Sequence, residues 1–142
     1  MEIIIHVETK KIDKSMQLAI DEYIKRTSPF CKVTIKTYKK LDKLSTKNGS
    51  KVYNLLPGCN SPSSEGFARI IEINNLNGIS CIEFVITAIQ EDTNQCMIYD
   101  FLCDTEKFNI SSFSMTPDLT TVVLSEQIYR AYTIMNNITY HK

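Results

Sequence analysis

The residues best placed by type to do chemistry stand at the end of this 142-residue chain, where Arg130 precedes a closing Tyr140-His141-Lys142. A histidine, with an ordinary pKa of about 6.5, takes up or releases a proton near neutral pH and is the natural general base of such a set. Terminal segments ordinarily fray into solvent, so a tail that keeps aromatics, an arginine and a histidine is expected to dock onto something. The residues themselves leave open whether it docks for chemistry or for packing. A penultimate histidine is ordinarily solvated, and Arg130 lies four residues after Glu126, in the acid-first order that makes a helical ion pair.

The element that must carry this group is read as an amphipathic helix from Val122 almost to the chain end. Its stripe is Leu119, Val122, Val123, Tyr129, Ala131, Tyr132 and Met135. Upstream, strand and helix patterns alternate. Glu2 to Val7 reads as a short apolar strand, and Ser15 to Thr27 as a helix capped by Asp13 or Ser15 and stopped by Pro29. Cys31 to Tyr38 alternates apolar and polar residues, which predicts a strand with one wet face at or near a sheet edge. Lys39 to Ser50 reads as polar loop, Lys51 to Leu56 as a strand ending at Pro57-Gly58, and a helix starts near Ser63 and ends at Gly78.

The run Cys81 to Ile86 is almost wholly apolar and so predicts the sheet centre, covered on both faces. An irregular helix over Asp92 to Thr105, carrying Met97, Ile98, Phe101 and Leu102, and a last strand over Phe108 to Met115 complete the pattern. His6, on the first strand, is expected to be structural. The class is therefore α/β, one domain over residues 1–142, with a mostly parallel sheet flanked by helices. Ligands of such sheets sit beyond the carboxyl ends of strands, which points to residues 54–58, 86–91 and 115–121.

Composition narrows the function further. The chain is 43% hydrophobic and 23% charged, as for a globular domain, and no apolar run approaches the roughly 18 residues of a membrane span. Five cysteines, an odd number with no Cys-x-x-Cys, argue against a disulfide framework or a zinc site and for a reduced, cytoplasmic setting. The net charge of zero hides a division: residues 1–51 carry 12 Lys and Arg against 6 Asp and Glu, and residues 52–142 carry 4 against 10. A basic half of this kind serves either as a solvated lysine-rich surface, the plainer reading, or as a face for nucleic-acid phosphates.

Several segments in order carry a family resemblance: MEIIIHVETKK then AIDEYIKR, Ser63-Ser64-Glu65-Gly66, Phe84 to Ile86, and SEQIYRAYTIM with the final Tyr-His-Lys. Over its whole length the chain resembles the SPOUT-class methyltransferases that methylate a pseudouridine of large-subunit ribosomal RNA, the ribosomal RNA large subunit methyltransferase H family. The resemblance implies a homodimer, a C-terminal trefoil knot, S-adenosylmethionine as methyl donor, and ribosomal RNA or the ribosome as partner. It gives His141 a role as base or substrate-positioning group, lets Tyr140 bond to or stack on the base, and sets Arg130 to anchor the tail or RNA. It places the cofactor near Asn54, Ala88 and the segment Ile110, Ser111, Ser112, Phe113, Ser114, Met115 and Thr116.

The chain departs from the family's pattern at the cofactor. Thr87 to Asp92 replaces a glycine-rich loop, and Glu91 and Asp92 put negative charge there. Pro117-Asp118-Leu119 replaces Pro-His followed by an arginine, Asn54 stands at an apolar position, and the connection from Lys39 to Ser50 is shorter by about a helix. Two expectations follow: an active S-adenosylmethionine-dependent methyltransferase, or a SPOUT-fold dimer without catalysis that serves as an RNA-binding or regulatory module.

Overall fold

In the computed structural model, which describes residues 1–88 and 98–140, five strands form one parallel sheet. The strands are β1 (Glu2–Glu8), β2 (Lys32–Tyr38), β3 (Lys51–Leu55), β4 (Cys81–Ile86) and β5 (Glu106–Phe108), in the spatial order β2-β1-β4-β3-β5. The helices among the described residues are α1 (Lys14–Thr27), α2 (Ser64–Leu76) and α3 (Pro117–Met135). α3 packs on both α1 and α2 and so closes one side of the sheet.

The apolar run at residues 81–86 is the middle strand, with all six residues buried, and β2 is an edge strand. A strand covered on both faces is mostly apolar, whereas β2, with one neighbour, keeps lysines in water. Asp13 is the cap of α1, accepting a hydrogen bond from the Ser15 N–H, and Ser63 caps α2 through the Gly66 N–H. The core is aromatic at its centre: Phe84, Phe67, Phe108 and Tyr53 lie with ring centroids 5.5 to 6.1 Å apart.

His6 is fully buried on β1 and is structural, as expected. Its Nε2 lies 2.6 Å from Oε2 of Glu83 on β4, and its Nδ1 lies 2.8 Å from the Tyr38 hydroxyl on β2. The other Glu83 oxygen accepts from the Lys47 backbone N–H at 2.7 Å. One polar chain thus crosses three neighbouring strands inside the sheet.

Three expectations are corrected. The last strand is only Glu106–Phe108 and not Phe108 to Met115. A strand needs a neighbour, and β3, its partner, ends at Leu55 before Pro57, so pairing stops after the Leu56 N–H reaches the Phe108 carbonyl. Second, the terminal helix starts earlier, where Thr116 caps it and Pro117 takes the first turn, and it stops at Met135 instead of running to the chain end. Asn137, at φ 54°, turns the chain back, and the Ile138 N–H closes on the Thr133 carbonyl as in a Schellman stop.

Third, the buried stripe of α3 is Thr121, Leu124, Ser125, Ile128, Ala131 and Tyr132, while Leu119 is 40% exposed. Thr121 and Ser125 are tolerated inside because each hydroxyl donates to the carbonyl four residues back. Within the loop 39–50, Leu41 is fully buried at the start of a single 3₁₀ turn, Leu41–Lys43. Of the helix expected over 92–105, residues 92–97 lie outside the described part; Ile98 is helical, and Asp100–Leu102 forms a 3₁₀ turn. Glu91, Asp92, His141 and Lys142 also lie outside it.

Candidate functional site

The carboxyl ends of β3, β4 and β5 meet the start of α3 around one cleft. It is lined by Leu55, Leu56, Pro57, Ile86, Ile110, Ser111, Phe113, Met115 and Thr120. Ile110, Ser111, Phe113 and Met115 of the expected cofactor segment therefore lie together at this cleft. Asn54 is fully buried on β3, one residue before the lining begins. Ser112 and Ser114 are exposed and do not line it, and the Thr116 hydroxyl is engaged as the cap of α3. Ala88 is exposed, and its N–H donates at 2.9 Å to Glu8 at the end of β1.

The loop after β5 is clamped to the loop after β3. The Gly58 N–H donates to the Ser111 carbonyl at 3.0 Å, and the Asn109 side-chain amide donates to the Leu56 carbonyl at 2.9 Å. A Cβ on Gly58 would stand 2.3 Å from Asn109 Oδ1, so glycine is what admits this close approach. The clamp leaves a free volume of about 10 Å³, room for roughly one water molecule. A second cavity of about 260 Å³ lies on the other side of Ile110, between α2 and α3, and is lined by Pro62, Ser63, Ser64, Phe67, Phe108, Ile110, Val123 and Gln127.

The apolar walls of the cleft fit the adenine ring of the cofactor that the resemblance implies, and the exposed 111–114 backbone offers hydrogen-bonding groups beside it. The lining therefore fits the group in chemical character. Its volume of about 10 Å³ is smaller than that ring.

Sequence reading missed a cluster around Glu8. Glu8 accepts from Ala88 N–H and from the Tyr99 hydroxyl, and the same hydroxyl takes the Leu41 N–H at 3.2 Å. Burial, and then the Glu8 contact, push the Tyr99 phenol above its ordinary range, so it stays a donor. A carboxylate closing an otherwise apolar strand was the available signal, but its partner is 91 positions away. Ser63, Ser64 and Gln127, which line the larger cavity, were missed as site residues too, although the first two belong to the motif that carried the resemblance.

Arg130 and Tyr140 lie together at the other end of α3. Arg130 makes two hydrogen bonds to Glu126 Oε1, at 2.9 and 2.7 Å, and its guanidinium carbon stands 5.2 Å from the Tyr140 ring centre. The Tyr140 hydroxyl donates to the same Glu126 oxygen at 3.1 Å, and its ring meets Tyr129 edge-on at 4.8 Å. Burial, with the Glu126 bond second, pushes the Tyr140 phenol up to about 12. It is a donor and a platform, not a base, at neutral pH. Thr120 lines the cleft and Arg130 stands ten residues further along α3, so about 15 Å of helix separates the two groups.

Comparison with known proteins agrees with this architecture. A family model described as Predicted SPOUT methyltransferase matches residues 1–141. The chain is 34% identical over 140 residues, 97% of each sequence, to ribosomal RNA large subunit methyltransferase H 1 of Thermoanaerobacter sp. strain X514. It is 31% identical over 166 residues, 100% of each, to ribosomal RNA large subunit methyltransferase H of Ruminiclostridium cellulolyticum. To the protein of that name from Mycoplasmopsis synoviae it is 31% identical over 147 residues, 93% of this chain and 94% of the relative.

Proposed function

Because this chain belongs to the SPOUT methyltransferase family, we propose that it methylates a pseudouridine of large-subunit ribosomal RNA with S-adenosylmethionine as donor. The observation that carries the reading is the apolar cleft at the carboxyl ends of β3 and β4, formed with the loop before α3, in a chain matched by that family along its length.

S-adenosylmethionine, when bound, supplies the methyl group. Leu55, Leu56, Ile86, Ile110 and Met115 would hold its adenine, with the backbone of Ser111 to Ser114 beside it. His141 takes the proton that must leave the ring nitrogen, a task an imidazole can perform near neutral pH. Tyr140, which remains protonated, positions or stacks on the base, and Arg130 holds Tyr140 in place.

The separation of about 15 Å along α3 supports a homodimer in which the tail of one subunit serves the cleft of the other. The trefoil knot of the family, and action in the cytoplasm where ribosomes are, belong to the same proposal. The structure itself has no helix among its described residues long and apolar enough to cross a membrane.

Calorimetric titration with S-adenosylmethionine, followed by transfer of labelled methyl to large-subunit ribosomal RNA, tests the reading. Micromolar binding and labelling are expected, with labelling lost in His141→Ala and dimerisation unchanged. The second reading, a SPOUT dimer that binds RNA without catalysis, would leave the narrow cleft of about 10 Å³ without a ligand. A titration without heat of binding at millimolar cofactor would overturn the first reading.

A further inference from the structure

Four lysines that leave the sheet at the same end as the cleft carry a further assignment. β1 and β2 are adjacent and parallel, with Glu8 opposite Tyr38, so Lys10-Lys11 and Lys39-Lys40 follow the two strand ends side by side. Neighbouring strands run about 4.8 Å apart where they pair, so the two lysine pairs leave the sheet from adjacent points.

All four are exposed, and none is in an ion pair among the described residues, whereas Lys32, Lys47 and Lys51 are each matched to a carboxylate. The acids nearest in sequence are Glu8, Asp13 and Asp42. Glu8 is committed to Tyr99 and the Ala88 N–H, and Asp13 caps α1. Asp42 is exposed in the turn after Lys40, and Asp13 and Asp118, whose carboxylate accepts from the Asp13 N–H, keep their charge on the Lys11 side. These acids offset part of the four positive charges, while none is ion-paired to them among the described residues.

The backbone around the four lysines is held firmly. Ile12 and Leu41, which follow the two lysine pairs, are 5% and 0% exposed, so the segments are pinned while their lysines point to water. The lysine segments are also joined to the cleft. The Asp13 N–H donates at 2.7 Å to Asp118 in the first turn of α3, two residues before Thr120, which lines the cleft.

We propose that Lys10, Lys11, Lys39 and Lys40 form a phosphate-binding ridge that seats an RNA strand beside the cleft. The proposal rests on the reading of the protein as an RNA methyltransferase and adds where the RNA backbone lies. Phosphate contacts fix register without reading bases, which suits a site whose chemistry is confined to one nucleotide.

The test is binding of labelled polyuridylate by fluorescence anisotropy across a salt series. It compares the wild-type protein, the quadruple variant K10A/K11A/K39A/K40A, its Lys→Arg counterpart, and K25A/R69A as a control on other surfaces. Each single-strand phosphate contact contributes about 0.7 to the slope of log K against log salt, so the quadruple alanine variant is expected to lose roughly two to three from that slope. Its affinity at low salt should fall at least about tenfold, while the arginine variant and the control keep both.

An unchanged slope in the alanine variant, or an equal loss in the control, overturns the ridge. S-adenosylmethionine titration of the same variants separates the two claims. Methyl transfer with ridge-independent RNA binding removes the ridge and leaves the enzyme, whereas ridge-dependent RNA binding with no cofactor binding removes the enzyme and leaves the ridge.

Discussion

Replacing Glu83 by alanine should cost about 3–5 kcal/mol, because it removes one partner of a buried, hydrogen-bonded pair. The residues give the same magnitude. Glu83 accepts from the buried His6 Nε2 at 2.6 Å and from the part-buried Lys47 N–H at 2.7 Å, and a buried donor left unpaired costs about 1–3 kcal/mol, the part-buried one less. For a domain of this size that is a fall in Tm of about 10–17 °C. Replacing both His6 and Glu83 by leucine should recover much of the loss, since an apolar pair in place of a buried ionic one is often neutral.

The pH dependence has a definite sign. Burial holds the His6 imidazole below its ordinary range, against the opposing pull of Glu83. Burial alone would raise the Glu83 carboxyl, but its bonds from His6 and Lys47 outweigh this and keep it below the usual carboxylate range. The pair is therefore neutral imidazole and carboxylate, with the Tyr38 hydroxyl donating to Nδ1 and Nε2–H donating to Glu83.

Both folded pKa values lie below the unfolded ones, so the unfolded chain takes up protons first and acid destabilises. Stability is full above about pH 6.5 and falls by up to about 1.4 kcal/mol per pH unit below it, with Glu83 adding to the slope below about pH 4.5. Urea unfolding followed by far-ultraviolet circular dichroism, at fixed protein concentration from pH 4 to pH 8, measures this. His6→Gln should flatten the upper part of the profile. A cost below about 1 kcal/mol for Glu83→Ala, with a urea midpoint flat across the same range, would refute the reasoning.

Phe108→Ala should cost about 3–5 kcal/mol by the same urea assay, because Phe108 contacts Tyr53, Phe67 and Phe84 and walls the 260 Å³ cavity. A loss under about 1 kcal/mol would mean that the aromatic cluster collapses onto the gap. Gly58→Val should displace Asn109, break its bond to the Leu56 carbonyl and cost about 1–2 kcal/mol. If the clamp shapes the cofactor cleft, S-adenosylmethionine binding should weaken at least about tenfold, and an unchanged affinity would place the cofactor elsewhere.

The parts of the fold legible in the sequence are those whose signal is local. Residues 81–86 announce a central strand because burial on both faces demands an unbroken apolar run, and Asp13 and Ser63 announce helix starts because a cap must precede the first turn. β5 was misjudged because its length is set by β3, which ends at Leu55 some fifty residues earlier. The α3 stripe differs from an apolar count because Thr121 and Ser125 bury their hydroxyls by bonding within the helix.

The early stop of α3 turns on Asn137 adopting a left-handed conformation, which asparagine tolerates but does not announce. The cofactor segment could be placed in sequence from its resemblance, yet which of its residues line the cleft depends on loop curvature. Ile110, Ser111, Phe113 and Met115 do, and Ser112 and Ser114 do not. The pairing of Glu8 with Tyr99 had no sequence signal beyond one carboxylate at a strand end.

The two open edges of the sheet bear on how copies of this chain can meet. β5 offers only three residues of backbone, two of them charged, and β2 presents Lys32 and Lys36 along its length. A short charged edge and a lysine-bearing one both resist the addition of another strand, since like charges would be brought together as the backbones paired. Sheet-to-sheet extension, the common route by which exposed strands aggregate, is thereby discouraged at both ends, and self-association is left to the helical faces.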